Sequence, residues 1–366
     1  MTAPRMKPWI EAIHAYVPGR SGGGAGRTVK LSSNENPLGT SPAALAAMRA
    51  AADGSNRYPD AASHELRDAI AALHGLEADR VVCGTGSDEL LQLLAQAYAG
   101  PGDEVLYVHR GFMVYPIAAQ RAGATPVAAP DRDYTANVDT LLASVTPRTR
   151  LVYLANPNNP TGTMIDREEV ERLHAGLPDD VLLVLDSAYA EYIDDAAYED
   201  GIAMARKYEN VVTTRTFSKI YGLAAARVGW AYGPAEVIAA LNRIRGPFNV
   251  NSQAQAAAIA ALSDQEFVDR CRRDNAEQRA RLTDAVQALG NHGLRPIPSA
   301  ANFVLVEFPP EGALTAERAN EFFTGQGILT RWLPSQDLAH ALRISVGTED
   351  ETGIVIHALQ DFVGQA

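Results

Sequence analysis

Five apolar residues in a row, Val181-Leu182-Leu183-Val184-Leu185, stop abruptly at Asp186. Nothing else in the chain restricts the fold so much. A strand with one wet face alternates apolar and polar residues, whereas an unbroken apolar run of this length reads as a strand buried on both faces of a parallel sheet. Leu151-Val152-Tyr153-Leu154-Ala155 repeats the pattern and ends in Asn156-Pro157-Asn158-Asn159-Pro160-Thr161-Gly162, a loop stiffened by two prolines. Val81-Val82-Cys83 gives way to Gly84-Thr85-Gly86-Ser87-Asp88, then to Leu90, Leu91, Leu94, Ala95 and Tyr98 at helical spacing. From Tyr58 to about Ala261 helix, strand and loop alternate, which predicts an α/β fold with a mainly parallel sheet between helices. Open sheets of this kind bind ligands beyond the C-terminal ends of their strands. The polar residues that terminate the runs are therefore the candidates for function.

The richest of these endings follows Val211-Val212: Thr213-Thr214-Arg215-Thr216-Phe217-Ser218-Lys219-Ile220-Tyr221-Gly222-Leu223, then Arg227-Val228-Gly229. A lysine amine forms a Schiff base with an aldehyde when its pKa is lowered enough to leave it neutral. Hydroxyls beside an arginine fork suit a phosphate ester. An aldehyde that carries a phosphate describes pyridoxal 5′-phosphate. A Ser-Lys pair after a strand is by itself usually only a surface lysine, so the other endings decide. Asp186 suits a protonated pyridine nitrogen, which makes such a ring an electron sink, although an acid in this place is more often a helix N-cap. Tyr189 and the amide of Asn159 offer hydrogen bonds to a ring oxygen. The Gly-Thr-Gly turn at 84–86 starts either an anion-binding helix N-terminus or an ordinary helix capped by Ser87 or Asp88, and it lacks the dinucleotide fingerprint. Asp186 and Lys219 are 33 residues apart, room for a helical crossover between parallel strands.

In order and spacing, these four segments resemble fold-type I pyridoxal-phosphate aminotransferases, and more narrowly the histidinol-phosphate aminotransferase family. The likeness starts at Tyr16-Val17-Pro18-Gly19 and Leu31-Ser32-Ser33-Asn34-Glu35-Asn36-Pro37-Leu38-Gly39, and continues through Arg57-Tyr58-Pro59-Asp60. Pro247-Phe248-Asn249-Val250-Asn251, Ala301-Asn302-Phe303-Val304 and Leu342-Arg343-Ile344-Ser345-Val346-Gly347-Thr348 extend it to the C-terminal region. The resemblance implies that Lys219 carries the Schiff base and moves the proton. Asp186 would pair with the ring nitrogen, and Tyr189 and Asn159 would bond the phenolic oxygen. Gly86, Ser87, Thr216, Ser218 and Arg227 would hold the cofactor phosphate, with the role of Asp88 left open. Phe112 would stack on the ring, and Tyr58 would reach the phosphate bound by the neighbouring subunit of a homodimer with shared active sites. Arg343 would fork the substrate α-carboxylate. Arg331 would take a distal phosphate, with Tyr16 and Asn34 lining the same pocket, and Trp332 would suit an imidazole or a phenyl ring. Two departures stand out: Asp186-Ser187-Ala188-Tyr189 replaces the usual Asp-Glu-Ala-Tyr, and His109-Arg110-Gly111 replaces a Pro-Thr start of the stacking loop, a change expected to reshape the pocket.

The implied reaction is transamination between histidinol phosphate, or imidazole-acetol phosphate, and the glutamate/2-oxoglutarate pair, an amino donor and a keto acid. Aromatic or prephenate transamination and threonine-phosphate decarboxylation are the alternatives on this scaffold. A length of 366 residues predicts more than one core, read here as an N-terminal arm (1–40), a large cofactor domain (41–262) and a small C-terminal α/β domain (263–366). The Gly-rich stretch 21–26 is read as a connector, and 264–289 as an amphipathic helix with a solvated arginine face. A net charge of −12 argues against nucleic acid, and no apolar run is long enough to span a membrane. The polar start is unlike a secretory signal. Two cysteines fit a reducing cytoplasm, and eight scattered histidines lack metal-ligand spacing. No segment is left over for the DNA-binding module that a ligand-sensing regulator would need.

Overall fold

The computed structural model describes residues 4–15, 18–19, 22 and 28–365. In chain order its strands are β1 (Val29–Lys30), β2 (Val81–Gly84), β3 (Glu104–Val108), β4 (Thr125–Ala129), β5 (Thr149–Ala155), β6 (Leu182–Asp186), β7 (Val211–Thr216), β8 (Gly229–Tyr232), β9 (Arg295–Pro296), β10 (Phe303–Glu307), β11 (Ile328–Leu329), β12 (Arg331–Leu333) and β13 (Leu338–Ser345). Seven of them form one sheet in the order β2-β8-β7-β6-β5-β3-β4. Every pairing from β7 to β4 is parallel, and β8 runs antiparallel to both its neighbours.

The apolar runs explain the covering of both faces. Leu183 and Leu185 join Leu106, Val152, Leu154 and Val211 in one buried core. Leu182 and Val184, pointing the other way, join Val105, Leu151, Tyr153 and Val212 in a second. Successive side chains of a strand alternate between faces, so only an uninterrupted run supplies both layers. Each such residue contributes about 1.5–3 kcal/mol on burial. The register places Ala155, Asp186 and Thr214 side by side at the C-terminal edge of three adjacent strands.

A second, antiparallel sheet has the order β12-β13-β10-β9. The helices Gln265–Ala288, Ala316–Gly325 and Glu349–Gly364 cover it through a separate core that includes Leu282, Val286, Val304, Phe323, Ile344 and Leu359. β1 pairs in parallel with β11, which fastens the segment before Asn34 to this second unit. The long helix lies where its periodicity predicts, but its arginine run is not simply solvated. Arg272 donates to the Glu191 carbonyl at 2.7 Å and Arg279 to the Ala301 carbonyl at 2.8 Å, so the helix bridges the two sheets. Both cysteines are free and buried. Among the described residues no helix is long and apolar enough to cross a membrane, and no cluster of potential metal ligands occurs.

The turn after Lys219 is held by a close backbone approach. Gly222 has φ +68°, and a Cβ there would stand 2.0 Å from the Gly39 carbonyl oxygen. The Thr40 hydroxyl donates to the Gly222 carbonyl at 2.6 Å. Gly102 also has positive φ, at +98°, but open space around it. Gly222→Ala is expected to cost about 3 kcal/mol or more of unfolding free energy, and Gly102→Ala about 1. Urea titration followed by circular dichroism checks the order, and equal costs would refute the close approach.

Candidate active site

A cavity of about 170 Å³ opens at the C-terminal edge of β5, β6 and β7, and Lys219, Asp186, Tyr189, Asn159, Arg227 and Arg343 all line it. Ser87, Phe112, Thr216, Ser218 and Asn34 complete most of the wall. Sequence reasoning named every one of these.

One end of the cavity is built to receive an anion. Helix Ser87–Tyr98 begins there behind Gly86, whose φ of +80° no ordinary side chain adopts readily. A Cβ on Gly86 would lie 2.6 Å from Arg227 Nη2, and one on Gly229 would lie 2.5 Å from the Ser87 amide nitrogen. The two glycines thus let the helix start, β8 and the guanidinium converge. Arg227 Nη1 donates to Ser218 Oγ at 3.2 Å and to the Ala224 carbonyl at 3.0 Å. Thr216 Oγ1 accepts the Ser218 amide at 3.1 Å. Asp88, which also lines the cavity, places its Oδ2 3.4 Å from Arg227 Nη2. Free amides, the positive end of the helix dipole, two hydroxyls and a guanidinium make an oxyanion cradle.

The middle of the cavity holds two groups with displaced proton affinities. Asp186 Oδ2 accepts the Tyr115 hydroxyl at 2.7 Å and Oδ1 accepts the Thr214 hydroxyl at 3.1 Å. Burial nevertheless dominates and lifts its pKa to about 6. Lys219 shifts the opposite way, down to about 8, mainly through burial and next through the Arg343 cation. Its Nζ approaches the Ser33 carbonyl at 3.4 Å and stands 5.8 Å from the centre of the Tyr189 ring.

At the other end, β13 presents Arg343, which is 8% exposed. Its Nη1 donates to Asn159 Oδ1 at 2.5 Å, its Nη2 to the Ser32 carbonyl at 2.9 Å, and it lies over the Phe303 ring. Arg331 sits directly opposite Arg343 in the β12–β13 register. Both border a smaller recess with Phe112, Met113, Asn159 and Gln336.

One expectation changes at this point, that for Trp332. Trp332, next along β12, packs against the second core and donates its indole N–H to the Ala339 carbonyl, so it does not line the recess. Strand alternation sends neighbours to opposite faces. Asn34 lines the cavity and is 1% exposed, its Nδ2 donating to the Tyr189 hydroxyl at 3.0 Å and its Oδ1 accepting from Ser345 Oγ at 3.0 Å. These bonds tie it to Tyr189 and to β13. Tyr58 is 82% exposed, stacked on Phe248 with centroids 4.5 Å apart, and does not line its own chain's cavity. Tyr16 and most of the glycine-rich stretch lie outside the described residues.

Sequence reasoning missed Tyr115 and Thr214 as partners of Asp186, and Asn302, whose Nδ2 donates to the Asn34 carbonyl at 2.9 Å. Thr214 was discoverable from register, because it pairs with Asp186 across β6 and β7. Tyr115 carries no such signal, since its helix follows a strand two places away.

The model of the family "Aminotransferase class I and II" matches residues 27–359. The histidinol-phosphate aminotransferase of Erythrobacter litoralis is 57% identical over 96% of this chain and 95% of its own length. That of Sphingopyxis alaskensis is 59% identical over 94% of each chain. Among solved structures, the histidinol-phosphate aminotransferase of Sinorhizobium meliloti in complex with pyridoxal-5′-phosphate superposes with a TM-score of 0.89 at 30% identity, covering 100% of this chain and 99% of that one. A Thermus thermophilus aspartate aminotransferase mutant, 24% identical with a TM-score of 0.83, shares the fold. With close relatives matched over almost the whole chain, and the family model over most of it, this protein belongs to the histidinol-phosphate aminotransferase family of class I and II aminotransferases.

Proposed function

We propose that this chain is a pyridoxal-phosphate enzyme that moves an amino group between histidinol phosphate and 2-oxoglutarate, giving imidazole-acetol phosphate and glutamate. The observation that carries the reading is the pairing of Arg331 with Arg343 across β12 and β13, beside the cavity that holds Lys219. Two guanidinium groups placed opposite each other suit substrates rich in negative charge. Histidinol phosphate and its keto partner bring one dianionic phosphate, and glutamate brings two carboxylates. The donor set also fits the cofactor: the glycine-walled cradle matches a phosphate, and a Lys219 amine held near neutrality matches an aldehyde.

Bound there, pyridoxal phosphate would supply a carbonyl that carries the amino group and a ring that withdraws electrons from the substrate Cα. Lys219 would hold the aldehyde through Nζ and, when displaced by substrate, use the same atom to take the Cα proton. Its low pKa keeps part of the amine unprotonated near neutral pH. Asp186 would keep the proton on the ring nitrogen, Tyr189 and Asn159 would bond the ring oxygen, and Phe112 would cover a ring face. Ser87, Thr216, Ser218 and Arg227 would anchor the phosphate at the helix start behind Gly86. Arg343 would grip the α-carboxylate of glutamate as a fork, held in plane by Asn159 and the Ser32 carbonyl.

The exposed Tyr58–Phe248 stack, with Ile244 also exposed, supports a homodimer in which Tyr58 reaches its partner's phosphate cradle. The two cores support a division into cofactor and C-terminal domains, with the long helix giving Phe267, Val268 and Cys271 to the first and Leu282 and Val286 to the second. A cytoplasmic setting suits two buried free thiols. Placement of Trp332 away from the recess favours the phosphate-bearing substrate over a purely aromatic one.

Purified protein mixed with glutamate and either imidazole-acetol phosphate or phenylpyruvate tests the substrate. Preference for the phosphate ester is expected, and a preference for phenylpyruvate by orders of magnitude would overturn it. Arg331→Met should cut kcat/KM for the phosphate ester by about a hundredfold while sparing phenylpyruvate. In the cofactor-free protein, acylation of Lys219 should rise with pH to a midpoint near 8, because the neutral amine is the reactive form. Arg343→Gln should move that midpoint upward, since a nearby cation disfavours protonation. Mass spectrometry of the labelled peptide reads both, and an unchanged midpoint would contradict the cause assigned. Tyr58→Phe should weaken cofactor binding by about threefold to tenfold. No effect would remove Tyr58 from the neighbouring site.

A further inference from the structure

Both oxygens of Asp186 are spoken for by hydroxyl donors, one from Tyr115 and one from Thr214. Tyr115 is 1% exposed and sits in the first turn of helix Val114–Ala122. Its ring stacks on Tyr153 with centroids 4.6 Å apart and planes 10° apart, and it meets Phe112 edge-on at 5.8 Å. Tyr153 in turn donates to the Leu91 carbonyl at 2.5 Å, inside the helix whose N-terminus forms the oxyanion cradle. Phenylalanine would serve the stack equally well. A phenol buried this deeply costs desolvation energy unless its O–H is bonded, and the bond it makes is to the Asp186 carboxylate, which lines the cavity.

We propose that Tyr115 is a positioning residue for the transamination: its hydroxyl fixes the plane and negative charge of Asp186 toward the cofactor's ring nitrogen, and its ring sets Phe112 beside it. This rests on the reading that the cavity takes pyridoxal phosphate. A carboxylate with a hydroxyl on each oxygen cannot rotate without breaking a bond, so its remaining lone pairs keep one direction. The donors also favour the ionised form, which alone can hold a protonated nitrogen. Tyr115 therefore reaches the reaction through Asp186, and Phe112 and Asp186 are placed by a single side chain.

Cofactor-free wild type, Tyr115→Phe, Thr214→Val and Tyr153→Phe are titrated with pyridoxal phosphate and with an analogue carrying carbon in place of the ring nitrogen. Absorbance gives the dissociation constants, and rapid mixing with glutamate gives the rate and apparent KM of the first half-reaction. Tyr115→Phe should bind the natural cofactor about tenfold more weakly and react about tenfold more slowly with KM little changed, the size of one hydrogen bond to a charged group. Thr214→Val should shift both in the same direction by about threefold, which keeps the idea testable should Tyr115→Phe fold poorly. Tyr153→Phe, in the same stack but without contact to Asp186, should match wild type. With the carbon analogue, wild type and Tyr115→Phe should bind alike. A Tyr115→Phe protein equal to wild type with the natural cofactor overturns the proposal. So does a full deficit that persists with the carbon analogue, because packing alone would then explain it. Wild type that gives no coloured adduct at all instead sinks the reading of the cavity.

Discussion

Everything in this site depends on holding a carboxylate and an amine in a cavity dry enough to disfavour either charge. Burial raises Asp186 to about 6 and lowers Lys219 to about 8, so both are pushed toward their neutral forms from opposite sides. A ligand that brings a cation to the one and a carbonyl to the other relieves both penalties at once. The seven-stranded sheet is what makes the place dry. Because β5, β6 and β7 carry apolar residues on both faces, helices cover both, and the cavity that holds Lys219 opens at the strand ends. The uninterrupted run before Asp186 and the shifted acidity of Asp186 are one physical fact seen at two levels.

A second constraint ties the substrate end to the cofactor end. Asn34 has φ +55°, a left-handed conformation that asparagine tolerates better than most residues. From there its amide N–H reaches Ser345 Oγ, its side chain reaches the Tyr189 hydroxyl, and its carbonyl accepts Asn302. Ser345 and Arg343 are two apart on β13 and so project from the same face. Arg343 and Tyr189 are therefore set by one junction of segments far apart in the chain. A motif search reads Asn34 as pocket lining, which it is, but nothing local shows that it also bonds Tyr189 and Ser345.

The sheet was legible where burial alone dictated sequence. β5 and β6 are runs that no wet strand would need, and each ends in the polar residue that matters. β7 was visible only in its first two residues, since Arg215 breaks the apolar pattern. That arginine stays buried because Glu191 and Asp200 neutralise it, at 3.0 and 2.6 Å. β4 carries Pro126 at the sheet edge, the one position where a strand accepts it, and β8 opens on a glycine chosen for the helix start beside it. The site residues named from motifs gathered round one cavity because they terminate adjacent strands. Trp332 failed for the complementary reason: strand alternation, available in the sequence, sends it to the face opposite Arg331. Tyr115 could not be found this way, since its partner depends on how a helix two strands distant is rotated.

The loop that departs from the family pattern shows how a local change is absorbed. Gly111 stands where a Cβ would come 2.6 Å from the Val108 carbonyl, so the chain turns back immediately after β3. Its own carbonyl accepts Gln336 Nε2 at 2.9 Å, and the Arg110 carbonyl accepts Asn158 Nδ2 at 2.8 Å. The Arg110 guanidinium pairs with Asp131 at 2.9 Å, reaches Asp337 at 3.5 Å and lies over Tyr134. Gln336 and Asp337 belong to the turn between β12 and β13, the strands that carry Arg331 and Arg343. The substituted residues thus replace a stiff proline start with polar ties to the turn between those strands. Phe112, one residue further on, follows a backbone anchored to that turn by the bond from Gln336 to the Gly111 carbonyl.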